Sequence, residues 1–153
     1  MKREETIDYH IRSAWHAISR MYNQRAQKYN ATMSMGFALL VIDADEGTPA
    51  TKIGPMMGLE PRSLTRLLKS LEEKKLIARA SDKQDKRSVR ICLTKEGKKQ
   101  RDNAREAVVR FNEVVVDEVG VQKLSVCLEV LEKVNRIVEN GVYDNKLTIG
   151  NWQ

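Results

Sequence analysis

Between Pro61 and Thr94 the hydrophobic pattern changes its period part-way, from that of a helix to that of a strand. Leu64, Leu67, Leu68 and Leu71 recur at the 3.6-residue spacing of one helix face. Val89, Ile91 and Leu93 instead alternate with Arg90, Cys92 and Thr94, the two-residue spacing of a half-buried strand. Upstream, Thr48-Pro49-Ala50-Thr51 reads as a helix start, with Thr48 as the cap and Pro49 at the first helical position, where a missing N–H costs nothing. That short helix is predicted to end near Gly58, and after Leu59-Glu60 the residue Pro61 opens a second helix running to about Lys75. Two short helices joined by a three- or four-residue turn containing glycine form a helix-turn-helix. Pro55 falls inside the first of them, where it removes an amide bond to Thr51 and is expected to bend the helix.

The second helix separates its chemistry by face. Arg62, Arg66 and Lys69 lie nearly opposite the leucines, with Ser63 and Thr65 flanking them and Pro61 at the start. Arginine can grip guanine O6 and N7 in a fork, and serine or threonine can serve either base, so this face suits the major groove of DNA. A second strand is predicted around Ile77–Ala80, and the segment Ser81–Ser88 joining it to Val89–Thr94 is too long and too charged for a tight hairpin. It reads as a basic wing carrying Lys83, Lys86, Arg87 and Arg90, with Arg87 near the tip suited to a narrow minor groove. Charge agrees: from Glu60 to Arg101 there are 14 Lys/Arg against 6 Asp/Glu, within a chain of net charge +6. A merely solvated, lysine-rich surface would leave a similar excess.

Long apolar-striped helices flank this segment. Ile7, Ile11, Ala14, Ile18 and Met21 mark one from about Glu5 to Tyr29, and Phe37–Ile42 marks a nearly all-apolar one from about Ser34 to Ala44. Thr94 is placed to cap a helix from Lys95 to about Val119. Leu124, Cys127, Leu128, Leu131, Val134 and Val138 mark a last one, followed by a tail in which Ile149 and Trp152 suggest docking. A small DNA-reading module does not need so much apolar surface at both chain ends; a second copy packed there would bury it, and an intramolecular bundle is the alternative. The fold class expected is therefore mainly α with a small β-wing, a winged helix-turn-helix between long terminal helices.

Other chemistries lack residues. Cys92 and Cys127 are isolated, which excludes a CxxC redox motif or zinc site, and Cys92 is expected on the outer face of its strand. His10 and His16 would not face one metal ion. No catalytic set, phosphate-cradling glycine loop, metal site or cofactor is expected. With 41% apolar and 31% charged residues, no spanning run and no signal peptide, a soluble cytoplasmic protein is expected, without membrane partners.

Thr51–Thr94 resembles the core of the MarR family of bacterial transcriptional regulators. The residues carrying the resemblance are Ser63-Leu64-Thr65-Arg66-Leu67, Leu71-Glu72-Glu73-Lys74-Lys75-Leu76-Ile77, Asp85-Lys86-Arg87 and Leu93-Thr94-Lys95-Glu96-Gly97, and the flanking helices match in order and length. The resemblance implies a single MarR-like domain over 1–153, with a DNA-binding lobe at 48–94 and dimerisation helices at 5–30 and 100–153. It implies a homodimer on double-stranded DNA, usually a repressor, on a pseudo-palindromic site with half-sites about 10 bp apart. Arg87 would be the minor-groove arginine, with Asp85 orienting the wing's arginines by a salt bridge. Some members bind a small aromatic or lipophilic effector in a cleft; Trp15, His16 and Tyr22 would line it here, or else are core residues at helical spacing. A non-specific architectural DNA-binding protein is the alternative reading.

Overall fold

The computed structural model describes residues 2–82 and 88–142. The chain divides into two compact units, Met1–Val108 and Val109–Gln153. In the first unit a 3-10 turn, Arg3–Glu5, leads into α1 (Ile7–Gln27) and α2 (Met33–Val41). A two-residue strand β1 (Thr48–Pro49) precedes α3 (Ala50–Met57) and α4 (Pro61–Glu73), which are joined by a three-residue turn starting at Gly58. β2 (Ile77–Ser81) and β3 (Val89–Leu93) complete a three-stranded antiparallel sheet of order β1-β3-β2, and α5 (Lys95–Val119) follows directly.

The core sits where α2, α3, α4 and the sheet meet. Ala38, Ile42, Ile53, Leu71 and Ile91 are fully shielded from solvent, with Leu39, Leu68, Leu76 and Ile77 around them. The apolar run of α2 accordingly occupies the central position its composition demands. Thr32 caps α2 by accepting from the Met35 amide at 3.2 Å. As expected, Thr94 caps α5, its hydroxyl accepting from the Gly97 amide at 3.0 Å while donating to the Lys75 carbonyl at 2.7 Å.

Two local expectations are corrected. Thr48 does not cap α3; it pairs with Ile91 across the sheet, and its hydroxyl accepts from the Asp43 amide at 2.9 Å and donates to the Val41 carbonyl. A strand two residues long has no period to read, so the nearby proline-opened helix claimed Thr48 instead. Nor does Cys92 lie open on an outer face: it is half-buried against the Gly47 turn, which β1 lays along that edge of β3. Gly47 has φ +70°, and a Cβ there would stand 2.7 Å from the Cys92 sulfur and 2.6 Å from the Ile91 carbonyl oxygen. On β3 itself Ile91 points inward, but Val89, at the wing's base, is exposed. Pro55 is accommodated inside α3, whose only buried side chain, Ile53, anchors the helix ahead of it.

In the second unit, the remainder of α5 reaches Gly120 and is followed by α6 (Val121–Glu139). No residue of α6 is buried. Val114, Val121, Val126, Leu128 and Val138 all stand at least half exposed. The tail residues Ile149 and Trp152 lie outside the described residues. Among the described residues no helix is long and apolar enough to cross a membrane.

Candidate nucleic-acid interface

Helix α4 presents the face its sequence predicts. Pro61, Arg62, Ser63, Thr65, Arg66 and Lys69 are all exposed, while Leu68 and Leu71 lock the opposite side into the core and Leu64 and Leu67 pack against its edge. The helix is thus fixed by one face and chemically open on the other. Lys69 makes only a loose 3.9 Å ion pair with Glu73, both largely solvated, which leaves its ammonium available to a phosphate at little cost. The Thr65 hydroxyl donates to the Pro61 carbonyl at 2.9 Å, so outward it offers an acceptor and a methyl group.

The wing is rooted by side chains from several elements. Arg79 on β2 pairs with Glu72 on α4 at 3.2 Å, tying the sheet to that helix. Arg90 on β3 reaches Asp82 with Nη2 at 2.7 Å and Nε at 2.9 Å, and its Nη1 donates to the Gly47 and Glu46 carbonyls at 2.9 and 3.4 Å. The sequence placed Arg90 among the DNA contacts; here its guanidinium is held within the protein. Lys83, Asp85, Lys86 and Arg87 lie outside the described residues. Asp82 was missed because it reads as one more loop acid. Its signal was a position beside Ser88 at the end of the strand pair, diagonal to Arg90.

The turn between α2 and β1 gathers charge around this root. The Asp43 carboxylate accepts from the Glu46 and Asp45 amides at 2.8 and 2.9 Å. Those two bonds hold its pKa below the ordinary value; partial burial opposes them, and Arg101 and Arg90 add to the lowering. Lys98 of α5 approaches Asp45 at 3.7 Å.

A cavity of about 70 Å³ lies between α1, α2 and the first half of α5. Its walls are mostly apolar, with Phe37, Leu40 and Ala104 among them, and Tyr22, Arg25 and Tyr29 supply polar groups. Burial pushes the Tyr22 phenol above its ordinary pKa, with Arg25 acting in the opposite direction. Of Trp15, His16 and Tyr22, only Tyr22 lines this cavity. Trp15 lies on the same face two turns before Tyr22 and stacks on Phe37 at 6.4 Å without lining the cavity, and His16 is exposed. Arg25 and Tyr29 were legible as the continuation of the Tyr22 face at three and seven residues.

Comparison with known proteins agrees with this geometry. A MarR family model matches residues 32–89. The HTH-type transcriptional regulator SarZ of Staphylococcus aureus is 32% identical over 102 residues, 66% of this chain and 69% of SarZ. The fold is shared with S. aureus MepR, solved as a DNA complex, at 24% identity and a TM-score of 0.77 over 84% of this chain and 96% of MepR. It is shared equally with the PcaV regulator of Streptomyces coelicolor, solved with its natural ligand, at 18% identity and a TM-score of 0.77 over 90% of this chain and 97% of PcaV. With its winged helix-turn-helix, and at that identity and span with SarZ, the chain belongs to the MarR family of DNA-binding transcriptional regulators, which are not enzymes.

Proposed function

We propose that this regulator is a sequence-specific repressor that binds a pseudo-palindromic operator as a homodimer. The observation carrying the proposal is the open face of α4, where five polar or cationic residues, Arg62, Ser63, Thr65, Arg66 and Lys69, stand exposed on the side away from the buried leucines. Each subunit inserts that face into a major groove and reaches the adjacent minor groove with the wing, Arg87 leading and Lys83 and Lys86 on flanking phosphates. In this reading residues 48–94 form the DNA-binding lobe, and residues 5–30 and 100–153 supply the dimer. The apolar side chains left exposed on α1 and α6, such as Ile7, Ile11, Leu128 and Val138, support a second copy as their cover.

The cavity beside Tyr22, Arg25 and Tyr29 suits a small aromatic effector carrying an acidic group: apolar walls for the ring, and a guanidinium with phenols for the anion. PcaV, a regulator of the same fold, was solved with its natural ligand, which supports the reading. Binding there releases the operator by favouring one spacing of the DNA-reading helices over another.

Titration of the purified protein against its own upstream DNA and random DNA, at several salt concentrations, tests the proposal. Preference for the upstream DNA is expected, and Arg66→Ala is expected to relax it at a cost of about 1–3 kcal/mol on the preferred site. Equal affinity for both sequences, with a steep salt dependence alone, would mark a non-specific architectural protein instead.

A further inference from the structure

We infer, on the reading of α4 as the helix that enters the major groove, that Thr65 selects an A·T base pair and contacts no phosphate. A threonine hydroxyl whose proton is available can donate or accept, and so can serve any base. Here the proton is engaged within the protein. The Thr65 hydroxyl donates to the carbonyl of Pro61, one helical turn back, at 2.9 Å. The side chain is exposed, so water could satisfy it equally well, and burial does not demand the bond. Its consequence is a fixed χ1, because a helical threonine has two open rotamers and a bond to the preceding turn selects one. With the oxygen turned back along the helix, the outward side offers a lone pair and the Cγ2 methyl group.

A group that accepts and cannot donate is restricted in what it can touch. Phosphate oxygens only accept, as do guanine O6 and N7, thymine O4 and adenine N7, and none of them bonds to it. The amines at adenine N6 and cytosine N4 are the polar partners that remain. The methyl group separates those two. An A·T pair presents the adenine amine and the thymine C5-methyl together in the major groove, whereas a G·C pair presents the cytosine amine with no methyl. A·T is therefore the pair that matches both halves of the Thr65 side chain.

Its neighbours sharpen the contrast. Arg62 lies one turn before Thr65 and Lys69 one turn after it, about 60° and 40° away around the helix, and both are exposed. Each carries donors alone, suited to guanine or to phosphate. Thr65 places one acceptor and one methyl group between those cations. Leu68 and Leu71, buried on the other side, keep the helix from rolling and so fix where that methyl stands.

Sites selected by the full chain from random duplex DNA test this, each thymine then being replaced in turn by uracil. Uracil pairs as thymine does and lacks only the C5-methyl. For the wild type, one thymine in each half-site is expected to show a loss of about fourfold on replacement, the contribution of one buried methyl, and about 16-fold when both half-sites are changed. Thr65→Ser keeps a hydroxyl for Pro61 but has no methyl, and the uracil penalty at that thymine should vanish. Thr65→Val keeps a methyl without a hydroxyl; it should retain the penalty and leave the salt slope on random duplex unchanged, since no phosphate contact is lost. Both substitutions alter an exposed side chain, and thermal melts identify any loss of fold. A penalty that persists in Thr65→Ser, or a slope shallower by about 1 in Thr65→Val, would overturn the inference. A pool that enriches no sequence would sink the sequence-specific reading and this inference together. An enriched site without a thymine whose penalty depends on Thr65 would overturn this inference alone.

Discussion

Gly97 lies beneath the Leu76 carbonyl, where a Cβ would collide with the oxygen of that peptide and crowd its carbon. The same carbonyl accepts from the Thr94 amide at 3.0 Å, and the Thr94 hydroxyl caps the Gly97 amide, so the start of α5 and the entry to β2 share one tightly crossed patch of backbone. Gly97→Ala is expected to destabilise the protein by about 3 kcal/mol or more, read as a lower midpoint in urea, because neither backbone can yield without breaking the cap. A wild-type midpoint would show that the two backbones can move apart at this crossing. The sequence displayed Gly97 beside Thr94 but gave no sign of the carbonyl above it. Faces were legible at this scale and partners were not. Periodicity exposed Arg66 and buried Leu71, yet the binding of Arg90 by Asp82 depends on a diagonal across two strands.

At the scale of elements, the long helices were readable because they repeat their apolar positions over several turns, and α3 was read from the proline and glycine at its ends. Helix α4 was the most legible, since its cationic and leucine faces oppose each other. β1 was not readable, as two residues carry no period, and the cavity wall was read only at Tyr22. Pro55 was read correctly as a helix-interior proline, but its effect depends on packing that the local sequence does not contain. Ile53 is fully buried and anchors α3, while the Gly58 and Leu59 amides bond back to the Pro55 and Gly54 carbonyls and close the helix end. The missing amide is then a cost borne by the native state alone. Pro55→Ala is expected to raise stability by about 1–2 kcal/mol with little change in DNA affinity, checked by thermal denaturation and by titration. A fall in stability would mean that the proline's restriction of the unfolded chain outweighs the lost bond.

For the whole molecule, the feature to account for is apolar surface that stands exposed among the described residues. α6 buries none of its residues, and Val121 and Val138 are 69% and 70% exposed. Helices that remain ordered in water with such stripes exposed are stabilised by association. Leu128→Glu is expected to convert a dimer to a monomer in sedimentation equilibrium and to weaken operator binding by at least about 100-fold, since each half-site then binds alone. A variant that sedimented as the wild type would move the interface away from this stripe. The sequence revealed the surplus of apolar residues at both ends, but one chain's pattern cannot name the surface that covers them.

Thr48 and Ile91 stand on opposite sides of the entire helix-turn-helix in sequence, and yet they are neighbours in the sheet. Pairing residues so distant closes a long loop, whose entropy must be spent before the contact gives anything back. The short-range helices therefore come first, and the strand that joins last makes its contribution mainly after the folding barrier has been crossed. Such a contact does little to hasten folding and much to delay unfolding. The two residues of β1 thus act on time more than on shape: they lengthen the life of a DNA-reading lobe that the helices alone would assemble as quickly, and lose sooner.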